Sequence, residues 1–145
     1  NDTLDGGRND DLLIGGAGND RIRGDHGNDT IDAGDGNDLV SGGDGNDSIL
    51  GGLGNDSLNG ANGDDLVNGG AGNDIIVGDD GNDTLRGGGG NDVVLGEDGN
   101  DNIDGQTGAD TVAGNQGADV IADLAAEINE AFVLPARLRT LLDAV

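Results

Sequence analysis

One aliphatic residue returns at every ninth position of this chain, from Leu4 to Ile121, without a slip. The residues between are mostly glycine, asparagine and aspartate. Residues 6–122 divide into thirteen consecutive nonamers, and residues 1–5 precede them as a half-repeat in the same register. Residues 15–23, Gly-Gly-Ala-Gly-Asn-Asp-Arg-Ile-Arg, are a clear copy, as are residues 51–59. Position 1 is glycine in every copy but the one that starts at Ala33, and position 4 in every copy but the first, where Asn9 stands. Position 6 is aspartate throughout, and position 8 is Leu, Ile or Val throughout. A low-complexity solvating segment has no means of holding an aliphatic side chain in strict phase, so the period marks a repeat fold.

Each nonamer splits into a loop and a strand. Positions 1–6 are residue types that tolerate left-handed backbone at little steric cost. Positions 7–9 read x-aliphatic-x, as in Ser48, Ile49 and Leu50. A strand sends position 8 to one face and positions 7 and 9 to the other. Three residues are too few for a free hairpin strand. They suit a coil in which each strand pairs with its equivalent one turn on. With two nonamers per 18-residue turn, the strands form two parallel sheets with the position-8 side chains between them. The expected fold class is therefore all-β: a parallel β-roll of about 30 Å at roughly 4.8 Å per turn, right-handed because parallel crossovers are. The chain opens inside a repeat, so further repeats or another domain are expected upstream.

Composition changes what such a roll needs. There are 32 glycines and one phenylalanine, with no Cys, Met, Trp or Tyr. Little is left to build a conventional core, and disulfides and thiolate metal sites are excluded. Thirty acids against six arginines give a net charge of −24, which excludes nucleic acid and anionic membranes as partners. No apolar run approaches the roughly 20 residues of a membrane span, and the N-terminus does not read as a signal peptide.

One aliphatic side chain per nonamer does not offset the ordering of a glycine-rich backbone and the self-repulsion of its acids. A divalent cation would. Stacking brings the position-6 aspartates of copies n and n+2 into adjacent turns, where bare carboxylates repel. Hard oxygen donors, no thiol and a single imidazole select calcium over zinc or copper. Flexible carbonyl-rich loops select it over magnesium. Thirteen loops paired with their second neighbours make room for up to about 11 ions.

The nonamer Gly-Gly-x-Gly-x-Asp-x-aliphatic-x resembles the hemolysin-type, repeats-in-toxin (RTX) calcium-binding family over residues 6–122. The resemblance implies a β-roll with calcium between successive loops, held by position-6 carboxylates and loop carbonyls. Carried onto this chain, the carboxylates are Asp11, Asp20, Asp29, Asp38, Asp47, Asp56, Asp65, Asp74, Asp83, Asp92, Asp101, Asp110 and Asp119. The carbonyls lie at or near Gly18, Gly27, Gly36, Gly45, Gly54, Gly63, Gly72, Gly81, Gly90 and Gly99. The strongest ligands are expected from Asp20 to Asp101. Asn9 at position 4, Gln106 and Asn115 at position 2, and Ala109 and Ala118 at position 5 depart from the pattern, so weaker occupancy is expected at their loops.

Outside the repeat consensus, three features stand out. One edge collects Asp25, Asp44, Asp79, Asp80, Glu97 and Asp98, and its calcium affinity is expected to be the more sensitive to salt. Ile75, Val77, Val93 and Leu95 fall on neighbouring strands of one outer face, a candidate protein contact. His26, the only histidine, reads as a solvated loop residue. Glycine then stops, dividing the chain into a repeat domain (1–122) and a tail (123–145). Asp123 could cap a helix with Leu124, Ile128, Ala131 and Phe132 on one face, ended by Pro135. Its expected roles are to cap the roll, to belong to a C-terminal export signal, or both.

No catalytic set can be assembled from these residues. The expected function is calcium binding by a non-enzymatic folding module of a secreted, extracellular bacterial RTX protein, exported unfolded by type I secretion and folded by calcium outside. The alternatives are a calcium-stiffened adhesin array and the C-terminal module of a secreted hydrolase.

Overall fold

The computed structural model describes residues 1–122, and these contain fourteen strands and no helix. In chain order they are β1 (Thr3–Arg8), β2 (Leu12–Ala17), β3 (Arg21–His26), β4 (Thr30–Asp35), β5 (Leu39–Asp44), β6 (Ser48–Leu53) and β7 (Ser57–Asn62). There follow β8 (Leu66–Ala71), β9 (Ile75–Asp80), β10 (Thr84–Gly89), β11 (Val93–Asp98), β12 (Asn102–Thr107), β13 (Thr111–Gln116) and β14 (Val120–Ala122). The odd strands form one seven-stranded sheet and the even strands a second. All pairings are parallel and join residue i to i+18, as Leu4 to Ile22 and Ile49 to Val67. The chain visits the two sheets alternately, as expected, in a parallel β-solenoid of about seven turns.

The position-8 residues are the core. Ile22, Ile31, Val40, Ile49, Leu58, Val67, Ile76, Leu85, Val94 and Ile103 are all buried between the sheets, with Leu4 and Val112 packed against them near the ends. Burying each contributes roughly 1.5–3 kcal/mol. Ala33 joins this core from position 1, the one place where that column has a side chain.

The strands differ from the sequence expectation in length. Each full strand runs six residues, because positions 1–3 continue the strand and the turn shrinks to positions 4–6. The cause is a kink rather than a break. Partners match at positions 7–9, skip position 1 and match again at positions 2 and 3, as in Arg21, Ile22, Arg23, Asp25 and His26 against β5. Position 2 holds φ between 68° and 122° in every copy, which bends the chain while leaving the next residues in register. The helical tail expected over 123–145 lies outside the described residues.

Candidate metal centre

The turns stack as regularly as the strands, held by two ladders of opposite direction. At position 6, the backbone N–H donates to Oδ1 of the aspartate one turn later, at 2.7–3.0 Å from Asp11 to Asp101. At position 5, the N–H donates to the side-chain oxygen one turn earlier, as Asn37 to Asn19 at 3.0 Å and Asn46 to Asn28 at 2.8 Å. Backbone bonds close the same turns. The position-4 N–H donates to the position-3 carbonyl of the next turn, and the position-7 N–H to the position-6 carbonyl of the previous one.

The position-5 ladder is a structural role that the sequence reading missed. Its signal was the asparagine that recurs before most of the position-6 aspartates. Asn offers a side-chain acceptor at the spacing of one turn and is at home in turns. The ladder also explains a departure. Ala109 and Ala118 receive nothing new in the way of side chains, yet their N–H groups still donate to Asn91 and Asn100, at 2.8 and 2.9 Å. Alanine can accept the ladder but has no acceptor with which to pass it on.

Position 6 is where the polar accounting fails to close. Asp20, Asp29, Asp38, Asp47, Asp56, Asp65, Asp74, Asp83, Asp92 and Asp101 are all buried; Asp11, Asp110 and Asp119, towards the ends, are half-buried. The Oδ2 atoms from Asp11 to Asp101 are buried and accept no hydrogen bond. Space for each carboxylate comes from the position-1 glycine of its own nonamer. A Cβ on Gly24 would stand under 3.0 Å from Oδ2 of Asp29 and from the Gly42 carbonyl, and Gly42 and Gly78 repeat the arrangement. Position 1 is therefore glycine for want of room and not for its φ.

No basic side chain among the described residues answers this column. Among the described residues the ion pairs are the N-terminus with Asp20 and, out in solvent, Arg23 with Asp25 and His26 with Asp44. Burial pushes the Asp65 carboxyl up to about 7, against the N–H of Asp47 that holds it down, and neighbouring Asp83 and Asp47 repel it further. Burial likewise pushes Asp74 and Asp83 up to about 6. An unpaired buried carboxylate is among the costliest groups a fold can carry.

The position-4 glycines of the sequence reading, Gly18 to Gly99, line the same turns and are half-exposed. A Cβ on Gly54 would fall on the carbonyl oxygen of Gly36, and the same holds for Gly45 over Gly27 and Gly72 over Gly54. Each position-4 carbonyl thus stands against the next turn's glycine, along the stacking direction. Their φ values, 115° to 148°, belong to glycine alone. Asn9, at 81°, is the one side chain in this column. Among the described residues no three acidic or histidine side chains converge. A cation here would be met by carboxylates from adjacent turns plus backbone carbonyls, a hard, all-oxygen set that suits calcium. The unpartnered Oδ2 atoms are the observation that fits such an ion. His26, as expected, is exposed; its Nδ1 lies 2.8 Å from Oδ2 of Asp44, one turn away.

The model of a family described as the RTX calcium-binding nonapeptide repeat (4 copies) matches in overlapping windows, over residues 1–31, 24–58, 41–76, 50–85, 59–94, 68–103 and 86–121. Comparison with individually curated proteins gives no match. The windows tile the whole described solenoid, and the buried aspartate column is what that repeat supplies: the chain belongs to the RTX calcium-binding nonapeptide-repeat family.

Proposed function

We propose that the chain is the calcium-dependent folding module of a secreted bacterial RTX protein, exported unfolded and folded by calcium on arrival outside the cell. The observation that carries this reading is the column of buried carboxylate oxygens without a donor, from Asp11 to Asp101. Without a cation the folded roll sets these groups against burial and against each other. With one it gains its largest stabilisation. Folding and metal binding are then a single transition, as in other sites that assemble only in the folded state.

The position-6 aspartates from Asp11 to Asp119 and the carbonyls of Gly18 to Gly99 are the proposed ligands, with the strongest sites between Asp20 and Asp101. Bound calcium supplies positive charge and oxygen coordination, and the chain supplies the spacing. The i to i+18 register supports pairing each loop with its second neighbour, hence up to about 11 ions. Residues 1–122 are the proposed roll, right-handed by the rule for parallel crossovers, and 123–145 a separate tail.

Circular dichroism during a calcium titration tests this. The expected result is little β signal in chelator and one cooperative gain as calcium approaches roughly millimolar levels. A fully formed roll in chelator, or an equal transition with the same concentration of magnesium, would overturn it.

A further inference from the structure

Asparagine is followed by glycine three times in this chain, at Asn59–Gly60, Asn62–Gly63 and Asn68–Gly69. All three asparagines lie on the neighbouring strands β7 and β8. The asparagines of the turn ladder precede aspartate instead. A following glycine leaves the backbone free to rotate and its nitrogen unshielded, so in a loose chain that nitrogen can reach the side-chain amide. The roll gives two of the three asparagines a specific task. Nδ2 of Asn59 donates to Oδ2 of Asp79 at 2.9 Å, and Nδ2 of Asn62 donates to Oδ1 of Asp44 at 2.7 Å. Asn62 is also the neutral rung in a column of acids: its register partners are Asp44 on one side and Asp80 on the other, with Asp98 next beyond. Asn68 is placed differently. Its register partners are Leu50 and Arg86.

We infer that Asn59 and Asn62 form a modification site of the unfolded chain, where spontaneous deamidation turns a donor to a neighbouring carboxylate into one more carboxylate and so opposes later folding. The step needs only water. The nitrogen of Gly63 gives up its proton and attacks Cγ of Asn62; the new C–N bond forms as the bond to the side-chain nitrogen breaks, and ammonia leaves. Water then opens the succinimide at either carbonyl, to aspartate or to isoaspartate. Aspartate at 62 completes an unbroken run of acids from 44 to 98 in one column, and like charges on facing rungs repel. Aspartate at 59 meets the Asp79 carboxylate it formerly served. Isoaspartate adds a carbon to the main chain and breaks a ladder that depends on a strict step of 18 residues. The folded roll blocks this chemistry. The Gly63 N–H is engaged by the Asp80 carbonyl at 2.8 Å and its φ is fixed at 129°, while Gly60 is buried inside β7. Ring closure requires the backbone to rotate out of the strand. That calcium ends the exposed period rests on the reading above; the protection itself follows from the folded register.

The test ages the full chain at mildly alkaline pH in three arms: with calcium, with chelator, and with calcium plus enough urea to unfold it. Circular dichroism records the fold of each arm, and peptide mass mapping reads the conversion at each asparagine. Conversion at residues 59 and 62 is expected in every unfolded arm and at least about tenfold slower in a folded one. Equal rates in folded and unfolded arms would overturn the inference. A β signal retained in chelator would refute the calcium reading instead, and slow conversion there against the urea arm would still support this one. Calcium titration of Asn59→Asp, Asn62→Asp and Asn68→Asp measures the harm. The first two should weaken folding at a fixed calcium level by up to about fivefold each; Asn68→Asp, with Arg86 beside it, should cost less than either. Equal effects at all three positions would overturn the assignment to 59 and 62. Should Asn62→Asp not fold at all, the aged native chain gives the readout: molecules converted at 62 should be depleted from the fraction that calcium folds, and an even distribution between the fractions would count against the inference.

Discussion

The two edges of the roll are built from the same nonamer and are not equally comfortable. The loops starting at Gly15, Ala33, Gly51, Gly69 and Gly87 keep glycine at position 2, and only Gln106 breaks that column. On the opposite edge position 2 is glycine only at Gly7 and Gly43; Asp25, Ala61, Asp79, Glu97 and Asn115 fill the other places with φ between 68° and 84°, and Asn9 is strained at position 4. Six of the seven non-glycine residues with positive φ thus fall on one edge. Left-handed backbone costs an L-residue roughly 1–2 kcal/mol, less for Asn and Asp. That edge therefore carries local strain as well as exposed acids. The lesson is that glycine at positions 2 and 4 means different things. In both columns a Cβ added to the glycine meets the carbonyl of the turn below, at Gly52 as at Gly54; position 2 nonetheless takes side chains repeatedly, with φ relaxed to 68–84°, whereas the position-4 glycines hold 115° and beyond.

The largest effect is therefore expected at position 4. Gly54→Ala places a Cβ against the Gly36 carbonyl at φ 124°; the roll should lose more than about 3 kcal/mol, read as a sharp rise in the calcium concentration needed for folding. If Gly54→Ala behaved like a substitution at position 2, the distinction between the columns would fail.

Next in size is the carboxylate itself. Asp56→Ala removes one proposed ligand and the acceptor of the Asp38 N–H. Calcium stoichiometry by isothermal titration should drop by one or two ions, and the edge bearing Asp38 and Asp74 should weaken before the other. Unchanged stoichiometry and affinity would count against second-neighbour pairing.

Smaller and opposite in sign is relief of strain on the uncomfortable edge. Ala61→Gly should stabilise the calcium-loaded roll by about 0.5–1 kcal/mol in urea melts. The reverse change, Gly52→Ala, should destabilise the other edge, since a Cβ there meets the Gly34 carbonyl. Equal effects of either substitution would erase the comparison.

A pH dependence sharpens it further. Asp65 at about 7 and Asp74 and Asp83 at about 6 lie above the usual carboxylate value in the folded, metal-free roll. The folded state binds more protons than the unfolded one, so this contribution to metal-free stability is complete below about pH 4 and lost as pH rises through 6 to 7. Calcium competes with those protons. Its midpoint should fall as pH rises from 5 to 7.5, with protons released on binding, measured by titration in buffers of different ionisation enthalpy. A midpoint flat across that range would remove the buried column from the metal-binding account.

The nine-residue period by itself determined the two parallel sheets, the 18-residue turn, the aliphatic core and the aspartate column, because strict alternation and strict spacing admit few ways of stacking. Composition then pointed to an oxygen-binding cation, since six arginines stand against thirty acids. Tertiary structure alone decided the rest. Strand length depended on whether pairing resumes after position 2, a register matter invisible in a run of glycines. The asparagine ladder and the end brought to it by Ala109 and Ala118 depended on the distance between turns. The three kinds of glycine look identical in one dimension: position 1 makes room for a carboxylate, position 2 bends a strand, and position 4 lies flat against the carbonyl of the previous winding. Only the neighbour 18 residues away distinguishes them.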